Sequence, residues 1–164
     1  MMIRFWVVAG EDSTGKSTTV GHLIGQTKRG FAGSRLVRTK GGGYLSVYAR
    51  RQSRQEANHA PFIVVKDIKK IAEGFSGPYF NTVLAMRINA YNGQPDAMTY
   101  IKHFVDSGWE IQSIALLMPD APQVHSFVQF GVPVLAASDA LIVTDAHRKH
   151  GWTSGLVRSH FGWA

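Results

Sequence analysis

The chain has 164 residues, 45% of them apolar and 18% charged, and this composition excludes a disordered protein. It contains no cysteine, which excludes disulfides and thiolate metal sites. The apolar run near the N-terminus is only about seven residues long, too short for a membrane span, and it leads directly into a glycine-containing loop. We therefore expect a single domain over residues 1–164, without a transmembrane segment and located in the cytoplasm.

The net charge of +7 is concentrated in the first part of the chain. Residues 1–70 contain 13 Lys and Arg against 4 Asp and Glu, whereas residues 71–164 contain 5 against 7. A basic region attracts polyanions, so we expect non-specific binding of DNA through the N-terminal half. The alternative, a solvated surface that only maintains solubility, remains open.

The most informative stretch joins an apolar run at residues 3–9 to the sequence Gly-Glu-Asp-Ser-Thr-Gly-Lys-Ser at residues 10–17, which we call the phosphate loop. This is the pattern G-x-x-x-x-G-K-S. Its two glycines let successive backbone amides point inward at phosphate groups, and its lysine reaches the outer phosphates. The residues predicted to bind the nucleotide are Gly10, Glu11, Asp12, Ser13, Thr14, Gly15, Lys16, Ser17 and Thr18.

The sequence on both sides of the phosphate loop supports this interpretation. Residues 3–9 are typical of a buried strand, and Val20, Leu23 and Ile24 recur at helical spacing within residues 17–26. The loop is therefore expected to connect a strand to the N-terminus of a helix, where the helix dipole favours anions. We predict that it binds ATP or another nucleoside triphosphate together with Mg²⁺.

The next part of the chain is predicted to contain two strands and a helix. Residues 34–38 predict a short strand, and the three glycines at residues 41–43 predict a turn. Residues 44–57 predict a helix with a basic face. Residues 61–67 predict a buried strand that ends at Asp67.

A magnesium ion would need protein ligands in addition to phosphate oxygens. Ser17 is expected to offer its hydroxyl, and an aspartate at the end of a neighbouring strand is expected to complete the site. Asp67, Asp120 and Asp145 are the candidates, and we favour Asp67 because its predicted strand contains four apolar residues in a row. The predicted metal ligands are therefore Ser17 and Asp67.

Phosphoryl transfer also needs a cation at the transferred phosphate and a group that orients the nucleophile. Lys16 is suited to the first role. Asp12 or Glu11, inside the phosphate loop, is the candidate for the second. The predicted catalytic residues are Lys16, Asp67 and Asp12.

Strands and helices alternate in the rest of the chain. Strands are predicted at residues 82–88, 110–118, 133–135 and 140–145, and helices at residues 67–75, after Pro95 and at residues 123–129. Met98, Ile101, Phe104 and Val105 form the expected buried stripe of the helix after Pro95. This alternation predicts an α/β fold with a mainly parallel sheet flanked by helices. Together with the phosphate loop, it leads us to expect the three-layer P-loop NTPase fold.

The tail interleaves basic and aromatic residues. Trp152, Leu156 and Phe161 are expected to pack onto the sheet and leave the cations in solvent. The alternative is that the tail contacts nucleic acid or a membrane surface.

The chain resembles the partition and cell-division-site ATPases of the ParA and MinD type. Besides the phosphate loop, the resemblance lies in Met118-Pro119 after a strand, His125-Ser126-Phe127 in a helix, and the turn at residues 131–134. Residues 44–65 also resemble the segment in which such proteins run from a Trp- and Arg-containing helix to a Pro-Phe-x-Val strand. Glu11 stands where that family usually has its signature lysine.

This resemblance implies a magnesium-dependent ATPase that associates with DNA without sequence preference, in plasmid maintenance, transfer or segregation. It also implies a homodimer. The trans-acting contact of the family's signature lysine would be absent, because Glu11 replaces that lysine.

A second resemblance is to the thymidylate-kinase-like nucleotide kinases. Their phosphate loop is similar to the pattern formed here by Gly10, Asp12, Gly15 and the Lys-Ser pair, and residues 38–42 resemble their Arg-Glu-Pro-Gly-Gly turn. It implies a small nucleotide kinase as the alternative function. A non-hydrolysing, nucleotide-gated adaptor for DNA or a membrane is the third possibility.

Overall fold

The computed structural model of this chain describes residues 1–26, 28, 30–137 and 151–164. The strands are β1 (Met2–Gly10), β2 (Ala32–Arg38), β3 (Tyr44–Arg50), β4 (Tyr79–Met86), β5 (Glu110–Leu117) and β6 (Val134–Ala137). The helices are α1 (Lys16–Leu23), α2 (Pro61–Ala72), α3 (Ala97–Asp106), α4 (Ala121–Phe127) with a 3₁₀ turn at Val128–Phe130, and α5 (Gly151–His160). The six described strands form one sheet in the order β2-β3-β4-β1-β5-β6.

β1 is a central strand of the sheet, because it pairs in parallel with β4 on one side and with β5 on the other. β3 is parallel to β4, β6 is parallel to β5, and β2 is an antiparallel edge strand. Five parallel strands therefore end at the same edge of the sheet. The predicted α/β fold with a mainly parallel sheet flanked by helices is confirmed.

Both faces of the sheet are covered, which explains the continuous apolar run at residues 5–9 of β1. On one face Phe5 packs edge-on against Phe104 of α3, with ring centroids 5.7 Å apart. On the other face Trp6 packs against Trp163, with ring centroids 5.3 Å apart, in the core that α1 and α5 share. The helices α2, α3 and α4 cover the first face.

The prediction of a helix over residues 44–57 is wrong. Tyr44–Arg50 is the strand β3, hydrogen-bonded to β2 on one side and to β4 on the other. Val47 and Ala49 point into one core and Tyr48 into the other, so the residues follow the two-residue period of a strand. The remainder, residues 51–58, forms turns.

The prediction of a strand over residues 61–67 is also wrong, because Pro61–Ala72 is the helix α2. Pro61 lies in its first turn, a position that proline favours. Val64, Ile68 and Ala72 are buried at four-residue spacing, whereas Phe62 is 62% exposed. Asp67 therefore lies within a helix and does not end a strand.

Most of the other predicted elements are present with shifted ends. The predicted strands at residues 82–88 and 110–118 correspond to β4 and β5, and the helix after Pro95 is α3. Asp96 caps α3 by accepting a hydrogen bond from the backbone amide of Thr99 at 2.8 Å. Val105, expected to be buried, is 41% exposed.

The C-terminal predictions are tested only in part. The predicted strand at residues 140–145 lies outside the described residues, as does the side chain of Trp152. Phe161 is buried and packs edge-on against Trp163, as expected for a tail that covers the sheet. Within the part of the chain that the structure describes, no helix combines the length and the apolarity that crossing a membrane requires.

Substituting Phe104 tests this packing. Phe104→Ala should lower the free energy of unfolding in urea by about 3–5 kcal/mol, because it removes a fully buried ring and leaves a cavity. Val105→Ala, at the exposed neighbouring position, should change it by less than about 0.5 kcal/mol. Equal effects of the two substitutions would contradict the described orientation of α3.

Candidate phosphate-binding site

The phosphate loop leaves the end of β1 and turns sharply into α1. A Cβ atom on Gly10 would lie 2.3 Å from Oγ1 of Thr14, so only glycine fits there. Gly15 precedes α1 with φ +85°, a left-handed conformation that favours glycine. Oγ1 of Thr14 donates to the backbone oxygen of Glu11 at 2.8 Å and closes the turn. The first glycine of the pattern is thus favoured by the close approach of the Thr14 side chain, and the second by its left-handed backbone.

The N-terminus of α1 is electropositive. No side chain caps it, and its first turn contains no acidic residue. The carboxylate of Asp12, the nearest acidic side chain before the helix, accepts a hydrogen bond from the amide of Ser13 at 3.0 Å. The first amides of a helix have no partner within the helix, so those of residues 16–18 are available to an anion.

Lys16 lies inside this turn and is only 6% exposed. Its Nζ donates to the backbone oxygen of Glu11 at 2.7 Å and lies 3.7 Å from Oε1 of Glu56. Burial lowers the pKa of Lys16 below its ordinary value of 10.5, and the nearby carboxylate of Glu56 opposes that shift. The loop therefore contains a nearly buried ammonium group.

Glu56 belongs to residues 51–58, which follow β3 and which we call the β3–α2 segment. The fully buried side chain of Gln55 hydrogen-bonds this segment to Arg87, the residue that follows β4. Its Nε2 donates to the backbone oxygen of Arg87 at 2.9 Å, and its Oε1 accepts from the backbone amide of Arg87 at 3.2 Å. The amide of Glu56 donates to Oγ of Ser53 at 3.2 Å. Because β3 and β1 are parallel, the segment lies beside the phosphate loop.

Arg87 connects the two acidic side chains of the site. Its guanidinium lies 3.3 Å from Oε2 of Glu11 and 3.9 Å from Oε1 of Glu56, and it stacks over the ring of Tyr91. Oε1 of Glu11 also accepts from the amide of Asn89 at 2.7 Å. The carboxylate of Glu11 is thus bound to the segment after β4.

Together these elements form an open cleft of about 230 Å³, which we call the phosphate cleft. It is lined by Asp12, Ser13, Gly15, Lys16, Ser17, Thr18, Arg51, Ser53 and Glu56. Arg51 closes one side by donating from Nε to the backbone oxygen of Ser17 at 2.9 Å. Gly21 leaves room for it, since a Cβ atom there would lie 2.8 Å from Nε of Arg51.

The structure brings some of the predicted site residues together and separates others. Six of the nine predicted nucleotide-binding residues line the phosphate cleft, among them both proposed catalytic residues of the loop, Lys16 and Asp12. The predicted metal ligand Ser17 lines it too. Glu11 contributes its backbone oxygen to the turn, and Gly10 and Thr14 shape the turn.

The argument that selected Asp67 is wrong. Asp67 lies on α2 and lines a different cavity, together with Tyr48, Arg50 and Arg54. Asp120 caps α4, where its Oδ1 accepts from the amide of Gln123 at 2.7 Å. Asp145 lies outside the described residues.

Sequence reasoning missed three residues of the site: Glu56, Arg51 and Arg87. The first two follow β3, which was predicted as a helix. The alternation of Val47 and Ala49 with polar residues was the available signal, because a strand there would have placed the following segment beside the phosphate loop. Arg87 immediately follows β4, whereas the strand predicted at residues 82–88 included it.

The residues of the phosphate cleft fit a magnesium ion only together with a phosphate ligand. No group of three or more His, Cys, Asp or Glu side chains suited to a metal ion is found among the described residues. The cleft does offer the hydroxyl of Ser17 and the carboxylate of Glu56. Mg²⁺ typically takes one or two carboxylates, substrate phosphates and waters, and this donor set is compatible with that requirement.

Comparisons with protein-family models, with curated proteins and with solved structures give no match for this chain. The functional argument therefore rests on the geometry of the phosphate cleft.

Removing the ammonium group of Lys16 tests the description of the loop. Lys16→Met should leave the free energy of unfolding equal or higher, because it removes a desolvated charge. The backbone oxygen of Glu11 keeps Thr14 as a donor, and the carboxylate of Glu56 keeps Arg87 as a partner. Chemical denaturation is the measurement, with Lys102→Met on the exposed face of α3 as the control. A loss of more than about 1 kcal/mol for Lys16→Met alone would contradict this account.

Proposed function

We propose that this chain binds a magnesium-complexed nucleoside triphosphate, with ATP as the expected ligand and its hydrolysis as the expected reaction. The observation that supports this proposal is that a buried ammonium group and the uncapped amides of α1 converge on one cleft. The cleft, of about 230 Å³, is smaller than the roughly 300–1,000 Å³ of sites that enclose a whole drug-sized ligand. It is therefore suited to the phosphates, with the base lying outside it.

Lys16 has the properties of a phosphate ligand. In the absence of an anion its Nζ donates to a neutral backbone oxygen, that of Glu11. A phosphate oxygen would offer a charge-assisted hydrogen bond, which is stronger. Transfer of the ammonium group from Glu11 to the phosphate leaves no unpaired oxygen behind, because Thr14 still donates to Glu11.

The position of Glu56 favours a metal-complexed ligand. Its carboxylate lies 3.7 Å from Nζ of Lys16, where it would repel a phosphate bound to the same ammonium group. A divalent cation between them converts this repulsion into attraction. We therefore assign Ser17 and Glu56 as the residues that would hold Mg²⁺, and Glu56 takes the place that sequence reasoning gave to Asp67.

Hydrolysis needs a carboxylate or amide near the attacking water. Asp12 and Glu56 are the carboxylates that line the phosphate cleft within the described residues. When bound, Mg²⁺ neutralises charge on the phosphates, and these carboxylates are placed to orient water. The reaction class is transfer of the terminal phosphoryl group to water.

Association with DNA is the second part of the proposal. It is supported by the resemblance to partition ATPases and by cations that the structure exposes. Arg35 and Arg38 are exposed on β2, and Lys66, Lys69 and Lys70 are exposed on α2. Such surfaces bind the phosphate backbone without reading sequence.

Calorimetric titration with ATP tests the nucleotide site. Lys16→Met should weaken MgATP binding at least about tenfold, because it removes a charge-assisted contact. Lys102→Met, on α3, should bind like the wild type. Glu56→Gln should raise the affinity for metal-free ATP, measured in EDTA, because it removes a repulsive charge. It should also reduce the increase in ATP affinity that Mg²⁺ produces, because it removes a metal ligand. Unchanged affinity of Lys16→Met would contradict the phosphate assignment, and a full Mg²⁺ gain in Glu56→Gln would exclude Glu56 from the metal site.

The pH dependence of binding follows from the lowered pKa of Lys16. Burial favours the neutral amine, so the unliganded protein loses this proton at a lower pH than an ordinary lysine, whose pKa is 10.5. Bound phosphate stabilises the ammonium form and raises the pKa again. Binding at alkaline pH should therefore take up a proton, and the affinity should fall as pH rises towards 10.5, the ordinary pKa of a lysine. Calorimetric titrations with MgATP in buffers of different ionisation enthalpy measure the proton uptake. An affinity for MgATP that does not vary with pH, together with no proton uptake, would contradict the assignment of Lys16 as a phosphate ligand.

A further inference from the structure

Arg54 is a buried cation outside the phosphate cleft. The residue is only 2% exposed, and its backbone amide donates to the backbone oxygen of Ala85 at 3.4 Å. Its guanidinium forms no ion pair within the described ranges of the chain, and its nitrogens are not among the buried polar atoms that lack a partner, so they still reach solvent in a cavity. A guanidinium that loses most of its water without gaining an ion-pair partner destabilises the folded protein, so this arrangement favours an anionic ligand.

The neighbouring charges of Arg54 make the burial of its guanidinium still less favourable. Burial lowers the pKa of Arg54 to about 10, and the positive charge of Arg50 lowers it as well. Tyr48, and after it Asp67 and Tyr100, oppose this shift, but none of them forms an ion pair with Arg54 in the described structure. The pKa of His59 is also lowered, first by burial and then by Arg50 and Arg54. The region therefore has a positive potential that the described residues leave uncompensated.

These groups surround a cavity between β3 and α2, which we call the Arg54 cavity. Its volume is about 160 Å³, and it is lined by Tyr48, Arg50, Arg54, Asp67, Ile68, Lys70 and Ile71. Three of these side chains are cationic and one is acidic. The remaining lining consists of two isoleucines and a tyrosine ring, which offer an apolar wall.

We propose that the Arg54 cavity binds a small organic phosphate monoester, with Arg50, Arg54 and Lys70 around the phosphate and the apolar wall against the organic group. Three cations against one carboxylate match a dianion. The planar guanidinium of Arg54 can donate two parallel hydrogen bonds to phosphate oxygens. The phosphate supplies an ion-pair partner, which Arg54 lacks among the described residues.

A phosphate in a nucleic-acid backbone fits this cavity less well. A phosphodiester carries a single negative charge and two bulky substituents, and Arg54 is too deeply buried to meet a continuous strand. Lys66 and Lys69, exposed on α2 and outside the lining of the Arg54 cavity, remain available to DNA, whereas Arg54 requires a ligand that enters the cavity.

This proposal does not rest on the nucleotide site. The residues that line the Arg54 cavity and those that line the phosphate cleft do not overlap. The two sites are adjacent along the chain only through the β3–α2 segment, in which Arg51, Ser53 and Glu56 line the phosphate cleft and Arg54 lines the other cavity. Each site can therefore be tested while the other is disabled.

The test uses the full chain with Lys16→Met, so that the phosphate loop does not bind the probe, and phenyl phosphate as the probe in calorimetric titration. We expect saturable binding at one site. Adding Arg54→Met should weaken it at least about tenfold, because charge-assisted hydrogen bonds are lost. No binding of phenyl phosphate, or full binding by a folded Arg54→Met protein, would overturn the proposal.

Two lysine substitutions on α2 test the Arg54 cavity independently, in case the Arg54→Met protein does not fold. Lys70 lines the cavity, whereas Lys66, also exposed on the same helix, does not. Lys70→Ala should weaken phenyl phosphate binding and Lys66→Ala should leave it unchanged; equal effects would overturn the assignment.

Competition with benzoate and with duplex DNA tests which class of anion the Arg54 cavity binds. Benzoate should bind more weakly than phenyl phosphate, and equal affinity would replace the phosphate assignment by a carboxylate one. Duplex DNA should not displace phenyl phosphate. Displacement at a comparable phosphate concentration would overturn the assignment to a small molecule.

Discussion

The parallel pairing of β1 with β4 and β5 is the constraint on which the candidate site depends. Because β3 is also parallel to β4, the segments that follow β1, β3 and β4 meet at one edge of the sheet. This arrangement brings Lys16 and Arg87, from distant parts of the chain, within 4 Å of the carboxylate of Glu56. The aromatic and aliphatic cores on both faces hold the strands that carry these segments.

At this edge of the sheet, two cationic and two acidic side chains contact one another. Lys16 donates to Glu11, Glu56 lies between Lys16 and Arg87, and Arg87 returns to the carboxylate of Glu11. Each charged group of this network has a partner, so the folded chain tolerates a nearly buried ammonium group. The Arg54 cavity lacks such balance. In the first site each charged group has an ion-pair or hydrogen-bond partner, although Nε of Arg87 itself has none, whereas in the second site Arg54 has no ion-pair partner within the described residues.

The parts predicted correctly from sequence are those that depend on local patterns. The phosphate loop is defined by eight consecutive residues, and its two glycines meet the two local constraints of the turn, a close contact at Gly10 and a left-handed backbone at Gly15. The region of β3 is predicted as a helix and that of α2 as a strand, because short apolar runs do not distinguish a strand from a helix. β3 is a strand because it pairs with β4, more than thirty residues later in the chain. The carboxylate of Glu56 could be placed only after that long-range pairing was known.

The central claim is that the phosphate loop holds the phosphates of a nucleotide. A crystal structure of the protein with Mg²⁺ and a non-hydrolysable ATP analogue tests it most directly. The account predicts phosphate oxygens against the amides of residues 16–18, Nζ of Lys16 moved from Glu11 to a phosphate, and the metal between Ser17 and Glu56. A nucleotide bound elsewhere, with Lys16 still donating to Glu11, would contradict it.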